Sequence, residues 1–420
     1  MSLVDNDDIV ITGLGVMLPG ATNVHDFWAN LRDGRSQVSR LSDQLGAGLP
    51  VNVAAQLGEL DYREFLPELS DAHMKKYSRE MLATMSALVA ARNDAAPDAS
   101  LDPDRIGFID SSSRGPSEYW YQHSLAHTRQ DRDDIPLGDP MMAGLPGSAA
   151  SFAAIYAGIR GLVTTLSSAC VGGNHALSLA ARELRSGAAD AMFVGGHEFA
   201  VIPNVLRLYS EPGRAVLSYA DDPATAMRPY DKDRDGFVLG EGAIVLCLER
   251  ESSALRRGAR VYAKVLGHQH INEAAHPTRM DLSGQVTATM MERLLKTARI
   301  APSEVGYICG HGTATRYNDL AESRSVGLIW DRPGLTRPAL GSIKPIYGHL
   351  FGGASVLNVA STAMMLHHQT LAPTINCDIP DPECDHDHVA EGARATSLDV
   401  ALSLSFAIGS QSSAVALGRA

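Results

Sequence analysis

The segment Leu166-Ser167-Ser168-Ala169-Cys170-Val171-Gly172-Gly173-Asn174-His175-Ala176-Leu177 holds the best-placed nucleophile of the chain. A β-like run ends there and a helix with very small residues in its first turns begins. A thiol at such a junction receives the partial positive charge of the helix N-terminus and faces unsatisfied backbone N–H groups, which favour thiolate over thiol. Taken alone, a cysteine is more often a small buried hydrophobe than a nucleophile. Two histidine motifs shift that balance: Gly310-His311-Gly312-Thr313-Ala314-Thr315, and Lys344-Pro345-Ile346-Tyr347-Gly348-His349. Each is ambiguous by itself, since His311 alone reads equally well as a satisfied loop histidine and Lys344 alone as a surface charge.

The elements around these residues alternate. Residues 9–16, 106–110, 162–167, 191–194 and 243–248 read as strands; residues 24–31, 81–93, 149–158 and the Cys170 helix, closing at Ser186-Gly187, read as helices. A charged helix and turn at 251–258 separates this half, residues 1–255, from a second, residues 256–420. There, strands are expected at 261–265, 305–309, 339–342, 400–406 and 413–417, and helices at 284–298 and 349–367. The second series repeats the first, and His349-Leu350-Phe351-Gly352-Gly353 opens a small-residue helix much as Cys170 opens its own. A duplicated α/β domain with a largely parallel sheet, helices on both faces, would bring Cys170 and His349 together at facing helix N-termini.

Composition narrows the class. The chain has 420 residues, 45% hydrophobic and 20% charged, with a net charge of −12. That charge argues against nucleic acid as the main partner. No apolar run is long enough to span a bilayer and the first residues do not read as a signal peptide, so a cytoplasmic protein is expected. Five scattered cysteines without a Cys-x-x-Cys pair suggest neither disulfides nor a thiolate zinc site. Gly13, Gly15 and Gly20 miss the dinucleotide spacing, and Asp231 to Glu241 misses the calcium-loop spacing and reads as a turn entering a strand. His197, His276 and Asp385-His386-Asp387-His388 read as structural or solvated, and no metal site is expected.

Taken together, the Cys170, His311 and Lys344/His349 motifs resemble those of the β-ketoacyl synthases, the thiolase-fold condensing enzymes of fatty-acid and type II polyketide synthesis. Supporting matches run through Val10-Ile11-Thr12-Gly13-Leu14-Gly15, Arg228-Pro229-Tyr230-Asp231, Pro373-Thr374-Ile375-Asn376 and Pro380-Asp381-Pro382-Glu383-Cys384-Asp385. The resemblance implies a layered α-β-α-β-α fold in which Cys170 carries an acyl group and His311 and His349 stabilise the enolate left by decarboxylation of a malonyl thioester. Lys344 would support the site. Thr313 and Thr315 would bind the phosphopantetheine arm of an acyl carrier protein, and the loop at Phe406 and Ile408 would admit the chain and help form the oxyanion hole. Substrates would arrive on the carrier, with no cofactor of the enzyme's own. A dimer is implied through residues 162–167, with a second copy or a chain-length-factor homologue, and Arg214 is the candidate docking contact for the acidic carrier.

The chain departs from the family pattern at three places. Ser405-Phe406-Ala407-Ile408-Gly409-Ser410-Gln411 lacks the usual gating phenylalanine and two glycines; Asn358 stands where relatives often pair a glutamate with the lysine; and Ser111-Ser112-Ser113-Arg114-Gly115-Pro116 replaces a glycine-rich turn. These changes favour a specialised pathway. The alternatives are acyl transfer from Cys170 without decarboxylation, or a non-catalytic partner subunit of the chain-length-factor kind.

Overall fold

A computed structural model describes residues 7–46, 48–96, 101–129, 140–211, 217–274, 276–278 and 280–420. Ten strands form its main sheet: β1 (Ile9–Met17), β2 (Ile106–Ser111), β3 (Val163–Leu166), β4 (Ala191–Glu198), β5 (Gly242–Arg250), β6 (Ala263–Asn272), β7 (Val305–Cys309), β8 (Ala339–Gly341), β9 (Val400–Ala407) and β10 (Gln411–Gly418). Their spatial order is β8-β7-β9-β10-β6-β1-β5-β4-β2-β3. Adding five to each label of the first half, β3-β2-β4-β5-β1, gives the second. The duplication read from the sequence is thus a repeat of topology, joined where Ile9 pairs with Val265.

Six helices repeat in the same way: α1 (Arg79–Ala95), α2 (Ser148–Ala157) and α3 (Gly172–Arg185) in the first half, and α4 (Gln285–Ala298), α5 (Arg316–Trp330) and α6 (Ala354–His368) in the second. Helices α3 and α6 each touch strands of both halves, so they form the central layer, with α1 and α2 outside one half-sheet and α4 and α5 outside the other. Burial follows from this position: every residue of α6 but its terminal histidines is buried. Gly13 and Gly15 serve packing, since a Cβ on Gly15 would lie 2.0 Å from the Ala87 carbonyl oxygen of α1. No other residue fits there.

The sheet is mixed instead of largely parallel. β2 pairs in parallel with β3 and β4, and β7 with β8 and β9, but β4–β5, β1–β5, β6–β10 and β9–β10 are antiparallel. In the second half the tight turn between β9 and β10 permits only antiparallel pairing; in the first half the connection from β4 to β5 contains the helix Pro203–Ser210, and the chain returns antiparallel to β4. The helix expected from His349 begins at Ala354, preceded by a 3-10 turn at Phe351–Gly353. Strand β6 runs seven residues beyond its expected end, and α5 was not anticipated. The Asp231 segment is a turn, as expected: the Asp231 carboxylate accepts the N–H groups of Asp233 and Ile379.

Candidate active site

Two chain turns meet at the centre of the molecule. At the end of β3 the backbone takes φ +48° at Ala169, a left-handed conformation unfavourable for a residue with a Cβ, and turns Cys170 toward the second half. From the other side, His349 is held by pairing with residues 238–240: its N–H donates to Val238 at 2.7 Å and its carbonyl accepts from Gly240 at 3.1 Å. The turns approach this closely because both carry glycines. A Cβ on Gly173 would meet Val356 at 2.4 Å, and one on Gly352 would meet the Ser113 nitrogen at 2.4 Å. Cys170 Sγ lies 3.3 Å from His349 Nε2, and the His311 ring sits 5.2 Å from that of His349, edge to face.

His311 is positioned by α5. Glu322 accepts the backbone N–H groups of His311 at 2.6 Å and Gly312 at 2.9 Å, with the Tyr230 hydroxyl at 2.9 Å. Asp319, one turn earlier, accepts the N–H of Thr313 at 3.0 Å and of Tyr230 at 2.9 Å. Neither carboxylate was singled out in the sequence. The signal was present in Val326, Ile329 and Trp330, whose i, i+3, i+4 spacing marks a helix that, carried back to Thr315, includes Asp319 and Glu322. Asn358 fills the glutamate position differently from an ion pair: its amide donates to the carbonyls of Gly310 at 3.0 Å and Leu404 at 3.1 Å, tying the His311 turn to β9.

The electrostatics follow from enclosure. Lys344 is 1% exposed; burial pulls its pKa down, against the opposing pull of Cys309, Glu322 and Cys170. Burial, then the Lys344 charge, holds His311 and His349 well below 6.5, so both rings are neutral. Burial pushes the Cys170 thiol up to about 12, with Lys344 pulling the other way. The resting group is therefore a thiol, in contrast to the thiolate expected from a helix N-terminus, because desolvating an anion in a closed site outweighs the helix charge. Neutral His349 stands within reach of its proton. The three ligand atoms of Cys170, His311 and His349 lie within 4.8 Å of one another, a spacing a thiophilic cation could also use. The nearby Lys344 ammonium disfavours a second positive charge.

The remaining candidates are placed as follows. Thr313 and Thr315 hydrogen-bond each other at 2.8 Å beside His311. Phe406 is buried with its ring 5.7 Å from His311. Ile408 is 59% exposed at the β9–β10 turn, so its side chain does not fill the pocket and Phe406 is the residue that covers the histidine. That turn is fastened: the Gly409 N–H donates to Pro277 at 2.8 Å and its carbonyl accepts from Asn272 at 2.8 Å. Arg214 lies outside the described residues. His197, buried against Asp110 at 2.8 Å, and His388, whose two ring nitrogens face the carbonyls of Leu340 and Cys384 at 2.7 Å, are structural.

Comparison with known proteins agrees with this geometry. Residues 6–254 match the model of the beta-ketoacyl synthase N-terminal domain and residues 262–378 that of the C-terminal domain. The chain belongs to the β-ketoacyl synthase family. It is 32% identical over 415 residues, 97% of each chain, to a 3-oxoacyl-[acyl-carrier-protein] synthase 2 of Synechocystis sp.. Among solved structures it is similar to a type II polyketide ketosynthase in complex with its acyl carrier protein and bound to a hexaketide, with TM-score 0.86 and 27% identity over 99% of this chain and all of that one. The ishigamide ketosynthase/chain length factor superposes equally well, at TM-score 0.86 and 26% identity over 99% of each chain. Members of this family are acyltransferases that condense acyl units in fatty-acid and polyketide synthesis, and so is this protein.

Proposed function

We propose that Cys170, His311 and His349 carry out a decarboxylative condensation on chains delivered by an acyl carrier protein. The observation that supports this is the 3.3 Å contact between Cys170 Sγ and the neutral His349 ring, with His311 beside it, all three buried. In the first step Sγ attacks the thioester carbonyl carbon of the carrier-bound acyl chain. His349 takes the thiol proton and returns it to the departing phosphopantetheine thiolate, leaving the acyl group on Cys170. In the second, a malonyl thioester loses carbon dioxide, and the electron pair of the broken C–C bond moves onto the thioester oxygen as an enolate. A ring N–H of His311 stabilises that oxygen, joined by His349 in the tautomer that carries its proton on Nε2. The enolate carbon then attacks the Cys170 thioester, the C–S bond breaks, and the thiolate recovers a proton from solvent.

Lys344 fits a supporting role: its charge adds to the burial that keeps the histidines neutral. Thr313 and Thr315 stand where the phosphopantetheine arm would pass, and the chemistry needs no cofactor beyond the carrier. The partner is assigned to the open edge of β3, the last strand of the sheet, against a second copy or a chain-length-factor homologue. We place the protein in the cytoplasm; no helix among the described residues is long and apolar enough to cross a membrane. The deciding measurement is carbon dioxide release from malonyl carrier protein. Release that depends on His311 and His349 supports condensation; acylation of Cys170 without release identifies simple acyl transfer, and neither activity identifies a non-catalytic subunit.

A further inference from the structure

We infer that Arg114 selects acyl chains that end in a carboxylate. This deepens the proposal that Cys170 carries an acyl group and rests on it. Cys170 lies in one apolar cluster with Val201, Ile202, Val205, Leu206, Phe237 and Phe351, with Tyr209 packed against it. The rings of this box are in mutual contact: Phe351 is 5.1 Å from His349 and 5.4 Å from Tyr209, and Phe237 is 5.3 Å from His349. The Arg114 guanidinium lies over two of them, its Cζ 5.4 Å from the Tyr209 centroid and 5.7 Å from that of Phe351. Phe351 thus contacts both the histidine that touches the thiol and the cation. An acyl chain lying along Phe351 from Cys170 leads to Arg114.

The placement is built. Glu198, fully buried, accepts the backbone N–H groups of Ser113 at 2.9 Å, Arg114 at 3.0 Å and Gly352 at 2.9 Å, so one carboxylate fixes both the Arg114 loop and the turn that carries Phe351. Tyr209 accepts a hydrogen bond from the guanidinium through its hydroxyl and orients it. Arg114 is an exposed residue, and no carboxylate forms an ion pair with it among the described residues. The positive charge reaches the thiol, opposing the burial that raises Cys170.

An apolar box capped by one unpaired cation makes a specific demand. A neutral alkyl end laid over Arg114 strips water from the guanidinium and returns nothing. A terminal carboxylate restores that loss with charge-assisted, two-point hydrogen bonds. The same residue therefore favours the carboxylated chain and rejects the neutral one.

The test measures acylation of Cys170 by intact-protein mass spectrometry, using the assembled full chain and carrier protein loaded with matched pairs: hexanoyl and adipoyl, octanoyl and suberoyl, decanoyl and sebacoyl. Wild type should prefer the carboxylated member of at least one pair. Arg114→Met, which keeps length and apolar contact, should lower that preference by about tenfold to a hundredfold, the range of a lost charge-assisted hydrogen bond; Arg114→Lys should retain part of it. The wild-type preference is informative even without a folded variant. Wild-type preference for neutral chains in every pair, or an equal loss across both members in Arg114→Met, overturns the inference while leaving the acyl-enzyme intact. Absence of Cys170 acylation by every chain overturns the acyl-enzyme proposal, and this inference with it.

Discussion

Single residues carry separable parts of the chemistry. Cys170→Ala removes only a sulfur from a site that accepts a small side chain, so it should abolish the acyl-enzyme while shifting the melting temperature by no more than about a few degrees. Persistent acylation of the variant would assign the nucleophile elsewhere. The histidines also predict a pH dependence of stability. In the fold both His311 and His349 are held well below 6.5 by burial and Lys344. As pH falls through 6.5 the unfolded chain takes up protons at these positions that the folded site refuses. Stability therefore falls in acid, by up to about 1.4 kcal/mol per pH unit for each histidine, and is flat above that range. His349→Gln removes one of these groups, so its urea-melt stability should fall less steeply than wild type between about pH 6.5 and 5. Equal slopes would show His349 titrating normally in the fold.

Elements set the distances on which those residues depend. Helix α5 holds the His311 turn through Glu322. Glu322→Gln substitutes an amide that cannot accept both backbone N–H groups as the carboxylate does. Decarboxylation should drop by about tenfold or more, on the scale of a displaced oxyanion donor, while acylation of Cys170 persists. Equal loss of both would mean that the helix supports the whole site. Helices α3 and α6 meet through glycine, and the Cβ of Gly173→Ala would collide with Val356 and Ser355. The resulting separation of Cys170 from His349 should cost about a hundredfold in condensation, as displacements near 1 Å do. A wild-type rate would show that the central layer yields without moving the site.

At the scale of the molecule, the open edge of β3 matters most. Its four residues are only partly buried, and one row of backbone donors and acceptors is unpaired at the end of a ten-stranded sheet. Pairing across a two-fold axis would satisfy them and continue the sheet. Because alternate residues aim their N–H groups to opposite sides, either Thr164→Pro or Thr165→Pro removes an outward donor. That variant should shift the protein from dimer toward monomer in light scattering. A monomeric wild type with no subunit able to pair with it would remove the edge from consideration.

Local pattern in the sequence was enough to determine the strands around β1, β2 and β7, the Cys170 helix, the duplication, and the grouping of Cys170, His311, Lys344 and His349. The elements and the pairing of Cys170 with His349 rest on periodicity or on glycine and small residues at fixed offsets, which neighbouring residues impose; His311 and Lys344 join them by their likeness to the family's motifs. What pairs with what was decided only by tertiary contact. The antiparallel return strands, the outward-facing Ile408, and Asn358 bonding to Gly310 and Leu404 all depend on chain brought in from far along the sequence. The protonation of Cys170 is likewise a property of the assembled centre: the helix N-terminus is legible beside the cysteine, but the desolvation that outweighs it comes from residues up to two hundred positions away, such as Phe237 and Phe351. The sequence marks the helix that carries Glu322 but not the role of its carboxylate, nor that of Glu198, because a buried acid differs from a solvated one only in the backbone N–H groups that the fold turns toward it.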